Sequence, residues 1–243
     1  MARTFASAMM LFAHPDDCDF GCGGTVAAWT DAGTEVHYVV ITDGSAGDNA
    51  EGAVRAEVAE VRQREQRAAA DILGVSSVSF LGETDGHLEV TADARRKVCR
   101  EVRRLRPEVL VCPDPSRLWF GEGYVNHWDH KQAGVLGLAA VMPDAPSRPM
   151  FPELLAEGFE PYEIPNLYLA ATADPDTYVD ITRTMDRKLA ALAAHASQGT
   201  ERSTPWVRQR AEEAAAQAAN GALYAEAFKA FRFVDDDEVE GDG

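Results

Sequence analysis

Short apolar runs alternate along this chain with longer stretches in which apolar and charged positions mix at helical spacing. Residues 8–13 (AMMLFA), 35–42 (EVHYVVIT), 77–81 (SVSFL) and 108–112 (EVLVC) have the length and apolar character of buried strands, and 35–42 is β-branched as well. Between them, 23–32 is helical in composition after a Gly-rich turn. Residues 57–73 form a charged amphipathic helix stopped by Gly74, and 95–105 a helix closed by Pro107. Further on, 126–142 opens with polar residues and runs into an Ala/Leu/Val-rich helix. The proline-rich stretch 143–165 predicts an irregular excursion near the site. Residues 167–171 and 178–181 read as late strands, 184–195 as an amphipathic helix and 207–228 as an Ala-rich helix. Such alternation predicts an α/β fold: one Rossmann-like domain over 1–233, its mostly parallel sheet covered by helices on both faces. The acidic tail 234–243 is expected to be disordered.

Sheets of this kind bind ligands beyond the carboxyl ends of their strands. The polar clusters stand there: HPDD after the first strand, TDG after the second, GETDG after the third and PDP after the fourth. The active site is therefore expected along that edge. A formal net charge of −17 repels phosphate backbones and anionic lipids, so neither nucleic acid nor membrane insertion is expected. The four cysteines are too sparse for a disulfide scaffold and point to a reducing compartment. The first apolar run reads as a strand rather than a signal peptide, which places the chain in the cytoplasm.

His14 and Asp17 lie on a strand-to-loop turn stiffened by Pro15, where both side chains can converge on one point. Far downstream, Asn126-His127-Trp128-Asp129-His130 begins a helix, from which His130 could reach the first pair across the crevice. Two histidines and one carboxylate leave a fourth position for water, as catalytic zinc needs. Iron also occupies such sites; one Zn2+ per chain is the expectation. His37, His87 and His195 show no comparable clustering.

The run AHPDD (13–17) followed by DFGCGGT (19–25) resembles the signature of the LmbE/PIG-L family of zinc-dependent de-N-acetylases, and NHWDH matches that family's second motif. TDGSAG (42–47), RQREQRAAADILGV (62–75) and DRKLAALAAHASQ (186–198) extend the resemblance over most of the chain. It implies zinc ligands at His14, Asp17 and His130, Asp16 as general base, and His127 as the group that steadies the tetrahedral intermediate. It also implies a small-molecule substrate, an N-acylated amino sugar or its conjugate, and a homo-oligomer. The acidic residue that commonly follows the double aspartate is Cys18 here, read as packing.

Several residues carry two readings. Asp16 could accept the proton of the attacking water or cap the turn; Asp129 could orient a neighbouring histidine or cap the helix. Arg62 could bind substrate or pair with Glu65 on a helix surface. Asp85 is a candidate for sugar hydroxyls. Trp119, Phe120 and Tyr124 could form a sugar-stacking wall or pack under a loop. Competing functions are an amidase acting on a thiol conjugate or antibiotic intermediate, a nucleotide-binding protein using 21–24 (GCGG) as a phosphate loop, and a non-catalytic metal-containing glycan-binding module.

Overall fold

A computed structural model describes residues 3–233; the tail 234–243 lies outside the described residues. Strands β1 (Ser7–Phe12), β2 (Glu35–Thr42), β3 (Ser77–Glu83), β4 (Val109–Pro113) and β7 (Asn166–Ala170) pair in parallel in the order β3-β2-β1-β4-β7. A short antiparallel hairpin, β5 (Trp119–Phe120) and β6 (Tyr124–Val125), stands apart from this sheet. Beyond β7 the sheet turns antiparallel: β9 (Ala225–Arg232) lies between β7 and β8 (Thr177–Asp180) and opposes both.

Strand residues alternate between two apolar layers. Ala8, Met10 and Phe12 pack with helices α1 (Asp17–Asp31), α2 (Arg55–Leu73), α6 (Met185–Ala193) and α7 (Thr204–Ala218) on one face. Met9 and Leu11 pack with α3 (Ala92–Leu105) and α4 (Trp128–Ala139) on the other. This is the expected α/β arrangement. Connections from β1 and β2 run over one face and the connection from β3 crosses by the other, so the strand order reverses between β1 and β4. A crevice opens at such a reversal, and the turn after β1 enters it.

Three expectations are corrected. The helix expected over 23–32 begins at Asp17, because the glycines are helical rather than a turn; a break at Cys22 (φ −148°, ψ 19°) interrupts it. That break frees the N–H groups of Gly24 and Thr25, which donate to the Glu226 carboxylate at 3.1 and 2.7 Å. Lys188 closes this buried group, pairing with Glu226 and donating to the Phe20 carbonyl at 2.7 Å. The amides a phosphate loop would offer to a nucleotide are thus taken by the protein's own carboxylate.

The helix expected over 207–228 ends at Ala218, and Glu226, expected as helical, sits on β9. Ala219 (φ 48°) and Gly221 (φ 86°) turn the chain there. The stretch 143–165 packs away from the site. Asp144 is held by Arg95 at 2.5 Å, its carbonyl by Arg103 at 3.0 Å, and Leu154, on the one-turn helix α5 (Glu153–Ala156), lies buried while Ile164 joins the α3–α4 layer.

Helix α4 approaches β4 closely because Gly134 offers no side chain. A methyl group there would run into the carbonyl oxygen of Pro113 and come within 2.9 Å of the Pro115 ring. Gly134→Ala is expected to cost about 1–3 kcal/mol through forced displacement of packed elements, measured by urea unfolding. Metal affinity should fall with it, because α4 carries His130, one of the expected ligands.

Candidate metal centre

The turn after β1 brings His14, Asp16 and Asp17 together through an unusual backbone. Asp16 has φ 93° and ψ −30°, a conformation that an L-residue keeps only when its surroundings enforce it. Its N–H donates to Gln66 Oε1 at 2.8 Å, and Arg62 grips the Pro15 carbonyl at 2.7 Å. The turn is closed from within by the His14 N–H, which donates to Asp17 Oδ2 at 2.8 Å.

His14 stands between two groups of partners. Its Nδ1 edge faces Asp17 Oδ2 at 3.2 Å and His130 Nε2 at 3.2 Å, and His130 Nε2 lies 3.0 Å from Asp17 Oδ1. Its Nε2 edge faces Asp129 Oδ2 and Asp85 Oδ1, each at 3.2 Å. Donor atoms of His14, His127 and His130 form one cluster able to hold a metal, and those of His14, Asp85 and Asp129 a second.

Hydrogen bonding separates the two edges. Asp129 already accepts from Gly86 N at 2.7 Å and Leu88 N at 3.3 Å, and Asp85 from Ala46 N at 3.0 Å and Arg62 at 3.4 Å. These carboxylates are pinned in place to receive the Nε2 proton of His14, which leaves the Nδ1 lone pair facing Asp17 and His130. His130 is oriented likewise. Its Nδ1 lies 2.9 Å from Asn126 Oδ1, and Asn126 Nδ2 donates to the Arg117 carbonyl at 2.7 Å, so Oδ1 is the acceptor and His130 Nε2 keeps its lone pair.

Two nitrogen lone pairs and a carboxylate converging at 3.0–3.2 Å repel one another unless a cation lies among them. Ligands of a tetrahedral zinc at about 2.0–2.1 Å stand roughly 3.3 Å apart, so the donor set fits.

Electrostatics agree with this assignment. Burial alone would depress His14, but Asp17, with hydrogen bonds to Asp129, Asp17 and Asp85, carries it well above the ordinary histidine value. Burial opposes ionisation of Asp17, yet His130 and His14 hold it well below the usual carboxylate range. Burial likewise works against Asp85, which its hydrogen bond with His14 pulls down to about 2. A cation binding on the Nδ1 edge takes the place of a proton.

Asp16 behaves differently. Burial and the Asp17 charge raise it to about 6, against the pull of Arg62, His195 and His14. His127 caps α4, its Nδ1 accepting the Asp129 N–H at 3.2 Å, so Asp129 is not the cap. The proton of neutral His127 therefore sits on Nε2. Burial and nearby His14 hold its imidazole below the ordinary value.

Asp16, Asp17, His127 and His130 line a cleft of about 870 Å³. Phe120 and Tyr124 form part of its wall, and α7 contributes Trp206 and Val207. Trp119 is 62% exposed and outside this lining, as is every residue of 143–165.

Arg62 is buried against the HPDD turn rather than on a helix surface, donating to Gly44, Pro15, Asp16 and Asp85, while Glu65 binds Ser197 instead. Cys18 is buried against Cys22, away from the ligand atoms. His195, expected to stand alone, makes a 2.8 Å contact with the buried carboxylate of Asp19. Neither residue belongs to the expected ligand set, although Asp19 opens the DFGCGGT run of the first signature.

Among the described residues no helix is long and apolar enough to cross a membrane. Residues 9–141 match the PIG-L family, described as GlcNAc-PI de-N-acetylase. Diacetylchitobiose deacetylase of Thermococcus kodakarensis is 37% identical over 190 residues, covering 77% of this chain and 68% of that protein. The solved structure of N,N'-diacetylchitobiose deacetylase from Pyrococcus horikoshii, complexed with an inhibitor, superposes with a TM-score of 0.85 at 30% identity, covering 94% of this chain and 84% of that one. A relative of different activity, 4-oxalmesaconate hydratase of Pseudomonas putida, is 28% identical, covering 79% of this chain and 74% of that protein. With the motifs in place around a site able to hold a metal, the chain belongs to the LmbE/PIG-L family of deacetylases.

Proposed function

We propose that this chain is a zinc-dependent hydrolase that removes the acetyl group from the amide nitrogen of an N-acetylated amino sugar or its conjugate. The observation that carries the reading is the convergence of His14 Nδ1, Asp17 and His130 Nε2 beside a second carboxylate, Asp16, in the same cleft. When bound, zinc supplies Lewis acidity to the acyl carbonyl and the attacking water.

The residues supply the rest. Asp16 accepts the proton of the attacking water on its carboxylate and returns it to the leaving nitrogen, so that acetate and a free amine depart. Its raised value suits this two-way traffic, since a base poised nearer neutrality gives the proton back more easily. His127 donates from Nε2 to the acyl oxygen as negative charge develops there. Asp129 and Asn126 hold the two histidine ligands in the tautomers that metal binding needs. Arg62 and Asp85, engaged with the turn and with His14, act here by holding Asp16 and His14 in place. The cleft is larger than one sugar ring requires, which suits a disaccharide or conjugate, with Phe120 and Tyr124 as the stacking wall.

His127→Ala is expected to lower kcat by roughly 100- to 1,000-fold, the usual effect of losing one oxyanion donor, while the protein keeps its zinc. Loss of the metal would instead make His127 a ligand.

The same reading keeps the chain in the cytoplasm, where its four buried free cysteines stay reduced, and as a homo-oligomer, checked by light scattering of the purified protein. The hydratase relative favours a second reading, in which the same site adds water to a carbon–carbon double bond. Incubation with N-acetylglucosamine, diacetylchitobiose and N-acetylglucosamine glycosides separates the two. Equal amounts of acetate and free amine are expected. Hydration of 4-oxalmesaconate with no amine released from any sugar would establish the second reading.

A further inference from the structure

Behind the catalytic turn lies a chain of buried polar side chains outside the cleft. Asp19, Gln66 and His195 have 0% exposure and Tyr38 has 1%. The Asp19 carboxylate receives the Tyr38 hydroxyl at 3.0 Å, the Gln66 side-chain NH2 at 2.8 Å and His195 Nε2 at 2.8 Å. The far end of the Gln66 amide, Oε1, accepts the backbone N–H of Asp16 at 2.8 Å.

Charge sets the direction of this chain. An ionised carboxylate only accepts, so Gln66 turns its NH2 to Asp19 and its oxygen to Asp16. Rotated by half a turn, the amide would set oxygen against carboxylate and NH2 against N–H. His195 serves the same end, for its other ring nitrogen, Nδ1, has no partner among the described residues. Apolar side chains of similar volume could fill this space at little cost in stability. What the polar chain adds is orientation of one backbone N–H, that of the residue standing at φ 93°.

We propose that Asp19, Gln66 and His195 are positioning residues that hold Asp16, through its N–H, in the strained conformation that aims its carboxylate into the cleft. The proposal rests on the reading of Asp16 as the base. Asp19 orients Gln66, Gln66 orients Asp16, and His195 with Tyr38 fixes Asp19.

The test uses the zinc-loaded full chain carrying Gln66→Met, His195→Ala, His195→Gln or Tyr38→Phe. It reads kcat, KM, metal per chain and hydrogen exchange at the Asp16 amide by NMR. Gln66→Met is expected to lower kcat on the order of 100-fold, the loss that about 1 Å of misplacement produces. KM and metal content should stay at wild-type values while the Asp16 amide exchanges faster. His195→Ala should give a smaller loss of the same kind, largely recovered in His195→Gln, whose side-chain amide can still donate to Asp19. Tyr38→Phe removes one donor without opening a cavity, so it reports on the chain even where the other variants fold poorly; a lower kcat with full metal content is expected.

Unchanged kcat and unchanged Asp16 exchange in folded Gln66→Met or Tyr38→Phe would overturn the proposal. So would loss of metal in parallel with kcat, or a His195→Gln protein no better than His195→Ala. If the wild type releases amine from no substrate, the deacetylase reading fails, and exchange at Asp16 still decides this one: faster exchange in the variants supports it and unchanged exchange overturns it.

Discussion

Asp16→Asn keeps about one metal ion per chain and loses roughly 100- to 10,000-fold in kcat, the range general-base catalysis contributes. The variant preserves the shape of the side chain and an oxygen that Arg62, 3.3 Å away, can still approach. The proposed metal ligands His14, Asp17 and His130 are untouched. What disappears is a group able to take a proton from water and return it to nitrogen. Metal analysis beside steady-state kinetics checks both halves, and loss of metal with activity would make Asp16 a ligand instead.

The pH profile adds a second check with a definite sign. As the proposed base, Asp16 works as the carboxylate, so kcat/KM is expected to be lost as pH falls through its value. That value is about 6 without metal, and a cation beside Asp17 draws it lower. The acid limb of the loaded enzyme is therefore expected below pH 6; the same limb persisting in the residual activity of Asp16→Asn would assign it to another group.

His130→Ala removes metal and activity together. His130 Nε2 lies 3.0 Å from Asp17 and 3.2 Å from His14, so its loss opens the proposed ligand set on the α4 side. Its neighbours give a graded series. Asn126→Ala, which deletes only the partner of His130 Nδ1, is expected to weaken metal binding by about 10- to 100-fold, as loss of an outer hydrogen-bond partner does. His130→Ala should exceed that, measured by competition with a chelator. Equal effects of the two variants would show that the metal lies on the other edge of His14, toward Asp85 and Asp129.

Legibility in the sequence followed locality. HPDD and NHWDH are contiguous, one set by a turn after a short apolar strand and the other by a helix start, and both read directly; the exposed hairpin before NHWDH did not. Strand β9 did not. Ala, Glu and Lys in AEAFKAFR favour helices by themselves, and the strand exists because β7 and β8 offer it edges on both sides. The Asn-Gly pair at 220–221 was the available warning. Asp19 and His195 were invisible for a related reason: 176 positions separate them, and neither sits in a spacing that implies the other. Arg62 on an amphipathic helix allows two readings, a substrate contact or a surface cation paired with Glu65; only the packing of α2 against the HPDD turn shows that it is buried.

Glu226 ties the order of synthesis to the assembly of the centre. The proposed ligands and base are all in the chain by residue 130, yet the broken helix that begins with Asp17 has its interior amide groups answered by a carboxylate 202 positions after Gly24. An emerging polypeptide on the ribosome thus carries every metal-binding group long before it carries the residue that completes the helix beneath them. The helix under the turn is completed only by β9, the last strand among the described residues.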